Sequence, residues 1–399
     1  MAGTIFSLTG FWMQRITIGW LTWDLTGSGW WLGIVAAAEF LPSVLVGPIA
    51  GAAVDRWEPM LVMRASAALR IVVSILLFAV TAATIIDVLW LLAFNVVLGL
   101  IASFNQPARL ALLPSLVHRE VLTTSLALDS VVFNLALFVG PAIAGTLISN
   151  GGTAITFAVT ATTFAVQLAA LSMIAVVVRN SDAHEERQSL ISDMIDGLRY
   201  TVRHPGIAPL LLLQTAAFVG GRGIFELMPG LAGEVFAGNA ATLAILTSSI
   251  GFGAVCGGLW IAQRGVAPGF TRIAFIGIFA LSLSLFVFLA GGVLWIAVPA
   301  VAIAGGSLIV FSIATLTLIQ VAVASDLRGR VVSIYGIILR GGPAIGALSM
   351  GAASELLGLR WSVMIGVALL FVVLAVTWQR RRTMAVALET KIEGPPNPQ

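Results

Sequence analysis

Charge is what this chain has least of. Of its 399 residues only 10% are Asp, Glu, Lys or Arg, where a soluble domain carries about 25%. With 59% hydrophobic residues the chain has too little polar surface to cover itself in water, which excludes a water-soluble fold and makes lipid the expected solvent. Lysine is reduced to Lys391, and the net charge of +3 is spread over separate segments, so the basic patch that nucleic-acid binding needs is missing. Cys256 is the only cysteine, which excludes an internal disulfide and a thiolate metal site. His118, His184 and His204 lie in polar segments without ligand spacing, and neither metal nor cofactor is expected. No G-x-x-x-x-G-K-[ST] loop occurs, and no polar segment is long enough for a nucleotide-binding domain. A self-contained ATP-driven pump is thereby excluded. No Ser/His/Asp set gathers either, so the chain is not read as an enzyme. Met1 runs almost directly into the first apolar run, and no cleavable signal is expected there.

What is present is a rhythm. Basic residues fall into six groups: Arg56/Arg64/Arg70, Arg109/Arg119, the stretch 179–203, Arg264/Arg272, Arg328/Arg330 and the stretch 380–382. Each interval between groups holds two apolar runs of about 20 residues. A turn signal divides each interval: near Asp87, at Asn150-Gly151-Gly152, over 229–239, at Gly291-Gly292 and over 355–358; a further turn at 25–29 precedes Arg56. The reading is twelve spans, 3–23, 31–54, 65–85, 88–106, 124–148, 153–178, 207–228, 240–262, 271–290, 293–322, 331–356 and 361–379. The alternate turns carry Asp24, Asp87, Glu234 and Glu355, with Arg360 their one clear basic residue. By the positive-inside rule the six basic groups and both termini are cytoplasmic.

The longest polar connection divides the chain into an N-terminal six-helix bundle (1–178), a cytoplasmic linker (179–206), a C-terminal six-helix bundle (207–382) and a disordered tail (383–399). Within the linker Ile191, Met194, Ile195, Leu198 and Val202 recur at helical spacing beside Asp193, Asp196, Arg199 and Arg203. That pattern fits an amphipathic helix on the membrane interface.

A glycine-rich element recurs four times, at Gly47-Pro48-Ile49-Ala50-Gly51, Gly140-Pro141 through Gly145, Gly253 through Gly258, and Gly342-Pro343 through Gly346. The copies fall on spans 2, 5, 8 and 11, the middle span of each three-span unit, at positions related by inverted topology. Small residues four apart allow close helix approach, and proline permits a bend. Gly140, Pro141, Gly145, Gly342 and Pro343 are therefore hinge candidates. Glycine four apart is also common in tightly packed membrane helices; it is the fourfold recurrence that favours a repeat.

Gly51-Ala-Ala-Val-Asp55-Arg56 resembles the G-x-x-x-D-R loop signature of the major facilitator superfamily, although Glu58-Pro59-Met60 replace its later glycine and basic residues. The resemblance implies that Gly51, Asp55 and Arg56, with Arg328, form a cytoplasmic latch. Gly140-Pro141 with Ala144-Gly145 resembles the helix-5 element of that superfamily's antiporters, with Ala136 in place of its first glycine. Leu25-Thr-Gly-Ser28, Glu39-Phe-Leu-Pro42, the stretch 222–229 and Arg328-Gly-Arg-Val331 are similar to the branch that contains the enterobactin exporter and the transmembrane secretion effectors. The fold this implies is all-α, with twelve transmembrane helices in two pseudo-symmetric six-helix bundles.

A charge near the bilayer centre costs about 2.5–3.5 kcal/mol, so each such residue needs a partner or a task. Glu39 and Asp129 are the proton-coupling candidates; each could instead be neutralised by Arg15 or another arginine. Arg222 and Glu226, four apart, are read as a structural ion pair. Arg15, Gln14, Asn95, Asn105, Asn134, Gln214, Gln320 and Arg340 should avoid lipid and are candidates to line a cavity. Trp12, Trp20, Phe133 and Phe218 would supply apolar contact, though packing is the favoured reading of each residue taken singly. The function expected is a proton-coupled exporter of amphiphilic small organic molecules such as drugs or siderophores, working as a monomer in a bacterial inner membrane. An importer or facilitator on the same fold, and a transport-inactive sensor or assembly partner, are the alternatives.

Overall fold

A computed structural model of the chain describes residues 2–54, 56–116, 122–174, 190–265 and 269–389. Asp55 of the expected latch and the segment 175–189 of the linker lie outside the described residues. The described chain is helical, with no strand: α1 (Ala2–Thr26), α2 (Gly29–Val54), α3 (Pro59–Ala82), α4 (Val88–Leu116), α5 (Leu122–Ser172), α6 (Leu190–Arg203), α7 (Ile207–Ala216), α8 (Gly223–Glu226), α9 (Met228–Gly230), α10 (Ala240–Arg264), α11 (Phe270–Gly291), α12 (Leu294–Ala322), α13 (Ser325–Leu357), α14 (Leu359–Trp378) and α15 (Arg381–Glu389).

Ten described helices are long and apolar enough to cross a membrane. One of these, Val131–Ser172, holds two spans, because α5 is broken at Gly152 (φ 81°, ψ 171°). That left-handed φ favours glycine, and it falls where the Asn-Gly-Gly turn was read. With α1, whose Arg15 and Asp24 dilute its apolar character, the spans number twelve. Lipid as solvent explains their outward faces, where Trp295, Leu45 and Ile49 are 88%, 70% and 68% exposed. Helix is the form that leaves no backbone group unpaired in hydrocarbon.

The hairpin turns are built by local chemistry. Asp87 Oδ1 accepts the Trp90 N–H at 2.9 Å ahead of α4, and Asn239 Oδ1 accepts from Ala241 and Thr242 at 3.0 and 3.2 Å ahead of α10. These side chains occupy donors that the first helical turn leaves orphaned. Pro59 opens α3 directly after an extended Glu58, where its missing N–H costs nothing. Between α6 and α7, His204 Nδ1 accepts from the Gly206 and Ile207 N–H groups at 3.2 Å each, and partial burial moves its pKa down. Both effects keep that imidazole neutral.

Two compact units emerge, and they do not follow chain order. The first comprises residues 1–181 with 225–252 and 347–362; the second comprises 182–224, 253–346 and 363–399. In the first, α1 packs along α5, α2 along α4, and α3 against both α4 and α5. In the second, α11 packs along α12. The glycine elements differ in what they meet. A Cβ at Gly145 would come within 2.1 Å of Ala244 Cβ; at Gly253, 1.7 Å from Ala302 O; at Gly346, 2.0 Å from Val219 O. These three copies are helix crossings at backbone distance. Gly47 and Gly51 have nothing described within 4 Å.

The expectation of disorder from residue 383 stops short. α15 runs to Glu389 and packs on α7, α11 and α12, with Met384 and Leu388 buried. Glu389 accepts from the N–H groups of Gly269 and Thr271, 2.7 Å each, at the start of α11. A carboxylate there meets both the orphan donors and the positive end of the helix dipole. Beyond it, residues 390–399 lie outside the described residues. α6 occupies the linker stretch, and its Ile195, Leu198 and Val202 stand exposed.

Candidate functional site

The first unit carries a narrow cleft lined by Phe11, Gln14, Arg15 and Ile18 of α1, Glu39 of α2, Arg70 of α3, and Asn95 and Leu98 of α4. Spacings of three and four put the α1 residues on one helix face. Two side chains join the walls. Gln14 Nε2 donates to Ser74 Oγ at 3.2 Å, tying α1 to α3. Asn95 Nδ2 donates to the Val35 carbonyl at 2.9 Å, tying α4 to α2 one turn before Glu39. At Gly99 an added Cβ would stand 2.4 Å from the Glu39 carbonyl, so α4 touches α2 at the backbone of the carboxylate itself. Glu39 is held by its neighbours' backbones rather than by a long side-chain reach.

Arg15 is the centre of the cleft. Its Nη2 lies 2.6 Å from Glu226 Oε2 and its Nη1 3.4 Å from Glu39 Oε2. Its guanidinium also covers the Phe40 ring at 4.7 Å and the Trp12 ring at 5.6 Å. The three charged side chains are 14%, 13% and 6% exposed. Arg70 stands between the rings of Phe11 (5.7 Å) and Phe164 (5.5 Å). Arg15, Arg70 and Glu39 thus line the cleft, and Glu226 meets it through Arg15.

Glu226 reaches this place because its span is irregular. Residues 217–222 and 231–235 form π turns, α8 ends at Glu226, and Leu227 leaves helical geometry (φ −92°, ψ 5°) ahead of Pro229. The tight face continues around it. An added Cβ at Gly19 would fall 3.0 Å from Pro229 Cγ, and one at Gly233 2.1 Å from Trp23 Nε1. At the end of the unit bearing the acidic turns, Ser28 Oγ donates to Glu355 at 2.7 Å and Glu234 accepts the Leu359 N–H at 3.3 Å. Gly351 sits 2.5 Å, by its missing Cβ, from the Gly29 carbonyl.

Of the residues read from sequence, Gln14, Arg15, Glu39 and Asn95 converge on the cleft, and Glu226 joins them through Arg15. Asp129 bonds to Arg109 in a pair 30% and 25% exposed, apart from the cleft lining. Asn105 Nδ2 faces Met63 Sδ at 3.4 Å, and Asn134 is half-buried. Trp12 and Phe133 meet edge to face at 5.8 Å. In the second unit Gln214 is fully buried, whereas Gln320 and Arg340 are exposed. Arg328 donates to the Val323 carbonyl at 3.3 Å, and Arg56 is exposed. Arg222 lies in the π turn before Glu226.

Arg70 was read as one of a group of cytoplasmic basic residues, and that placement is corrected. It lies eleven residues past Pro59, the first residue of α3, about 16 Å along the helix axis. The expected span 65–85 holds Arg70 close to its start, whereas the helix that begins at Pro59 carries it deeper. Phe40 and Phe164, which flank the arginines, carry no signal in the sequence that separates them from packing residues.

Twelve apolar spans, with a charge-bearing cleft in the first compact unit, define a membrane transporter of the major facilitator class. The chain matches solved transporters of that fold over nearly its whole length. A bacterial homologue of the human lysosomal transporter Spinster aligns with a TM-score of 0.74 and 15% identity, covering 97% of each chain. A nucleoside transporter aligns with a TM-score of 0.71 and 11% identity, covering 95% of this chain and 98% of that one. Within the class, the chain belongs to the transmembrane secretion effector family, whose family model matches residues 1–394. Its relatives include macrolide efflux protein A of Streptococcus pyogenes, 26% identical over 92% of this chain and 91% of that protein. They also include the staphyloferrin A transporter of Staphylococcus aureus (22% identical, 62% of each chain) and the enterobactin exporter of Escherichia coli (27% identical, 65% of this chain). The chain spans only 62% and 61% of the length of those last two. Bacterial relatives of this kind fit a multi-pass protein of the inner membrane.

Proposed function

We propose that this chain is a proton-coupled exporter of amphiphilic small organic molecules, with both termini and the six basic groups on the cytoplasmic side. The observation that carries the reading is Arg15, bound at once to Glu39 of the second span and Glu226 of the seventh. Two carboxylates competing for one guanidinium form a switch: a movement that withdraws Glu226 from Arg15 into the apolar surroundings of its span leaves Arg15 to Glu39. A carboxylate that trades an ion partner for an apolar surrounding takes up a proton, and one that regains its partner releases it. Cycling Glu226 and Glu39 between these settings would link proton movement to movement of the seventh span. Relatives named for efflux or export support the outward direction. In this reading Gly51, Asp55, Arg56 and Arg328 latch the cytoplasmic ends, and the Gly-Pro positions 140–141 and 342–343 are the points at which helices flex.

The experiment is transport in inside-out membrane vesicles with a macrolide as probe. An inward-acidic gradient should drive probe accumulation, an uncoupler should collapse it, and Glu39→Gln should remove the gradient dependence. Gradient-independent accumulation that survives Glu39→Gln and Glu226→Gln together would overturn proton coupling. Uptake by intact cells, in place of resistance, would instead favour an importer. Unchanged function after bulky substitution at Gly140 and Gly342 would favour the transport-inactive reading.

A further inference from the structure

Arg70 is the charge in the cleft that the switch leaves over. Both glutamates of the cleft bind Arg15. Arg70 feels Glu39 electrostatically, yet it has no hydrogen-bond or ion-pair partner among the described residues; its close neighbours are the rings of Phe11 and Phe164. Aromatic faces hold a guanidinium in place through the ring quadrupole. They accept none of its five N–H donors, which point along its edges. No described bond brings it a polar side chain of the same walls: Gln14 donates to Ser74, Asn95 donates to the Val35 carbonyl, and the Ser74 hydroxyl accepts from Gln14 and donates to the backbone carbonyl of Arg70. A membrane-embedded cation with unused donors on a cleft wall is costly unless something arrives to use them.

We infer that Arg70 is the recognition point for a carboxylate carried on an apolar or aromatic body. The planar fork of a guanidinium matches a carboxylate in two parallel bonds, a match that neither an amide nor an ammonium reproduces. The remaining walls, Phe11, Ile18 and Leu98, would receive the body. In the structure the cleft has room for little more than a water molecule, so the acid group enters here while the rest of the molecule lies at the mouth. This inference rests on the cleft being part of the transport route, but it makes no use of direction or of proton coupling.

The test uses full-length protein in phosphatidylcholine nanodiscs, with benzoate as probe, benzamide as its neutral near-isostere and benzylamine as its cationic counterpart. Phenylglyoxal modification of Arg70, followed by peptide mass spectrometry, needs no variant. Benzoate should slow it at least fivefold, and benzamide and benzylamine should not. Equilibrium dialysis with labelled benzoate should give saturable binding that falls at least tenfold in Arg70→Gln, is partly kept in Arg70→Lys, and is unchanged in Arg264→Gln, a residue outside the cleft. Equal protection by benzoate and benzamide, or none by either, overturns the proposal, as does unaltered benzoate binding in a folded Arg70→Gln protein. If phosphatidylglycerol discs alone protect Arg70, its anion is a lipid headgroup and the proposal falls. Failure of vesicle transport with benzoate binding intact would count against the exporter and leave this inference standing.

Discussion

Two Arg–carboxylate arrangements among the described residues of the first compact unit share their chemistry and differ in their surroundings. Arg109 and Asp129 form a one-to-one pair with roughly a quarter to a third of each side chain exposed. Arg15 is more deeply buried and divides itself between Glu39 and Glu226. An exposed pair gains little, because water solvates the separated ions almost as well. A buried pair gains little net stability either, yet losing one partner strands the other in low dielectric. The lesson is that depth and stoichiometry, rather than the presence of a pair, separate a charge that can be moved from one that merely sits.

Arg15→Ala should have the largest effect. It strands two carboxylates, and a loss of about 3–5 kcal/mol is expected for an uncompensated buried charge, read by denaturant unfolding in detergent, with transport at background. If its unfolding midpoint matches wild type, the contrast in depth means little. Glu39→Gln comes next: the fold survives, because Glu226 still holds Arg15, while gradient-driven transport falls at least tenfold and exchange without a gradient persists. Glu389→Gln should cost about 0.5–2 kcal/mol, as the start of α11 loses a charged cap, with gradient dependence intact. Asp129→Asn should be the mildest, within about 1 kcal/mol in stability and twofold in transport. A tenfold transport defect there would make Asp129 a coupling residue and dissolve the comparison.

The architecture was legible because lipid writes it into composition: apolar runs of spanning length, basic groups in alternate connections and glycines at the turns all survive without tertiary information. Gly152 and Asn239 act in the structure as the punctuation they resemble in the sequence. The cleft was half legible. Gln14, Arg15, Glu39 and Asn95 stand out as polar residues in apolar helices, and the cleft gathers all four. What periodicity could not supply was Arg15 as a partner of Glu226, since the two stand 211 residues apart in the chain. Arg70 was hidden by its neighbours in sequence, two other arginines closer to the helix start. α15 was hidden by the run of Gly and Pro that follows it, which masks a short amphipathic helix whose Glu389 has a mate 120 residues away.

The π turns on either side of Glu226 have a mechanical meaning. Each stores a surplus residue relative to an α-helical turn, so the seventh span holds slack in its own backbone. Releasing one such residue into regular helix would swing the adjoining segment by about 100° and advance it by about 1.5 Å, with the far ends of the span still anchored. In the proposed switch, a local change of pitch would then separate Glu226 from Arg15 without carrying a whole helix through lipid.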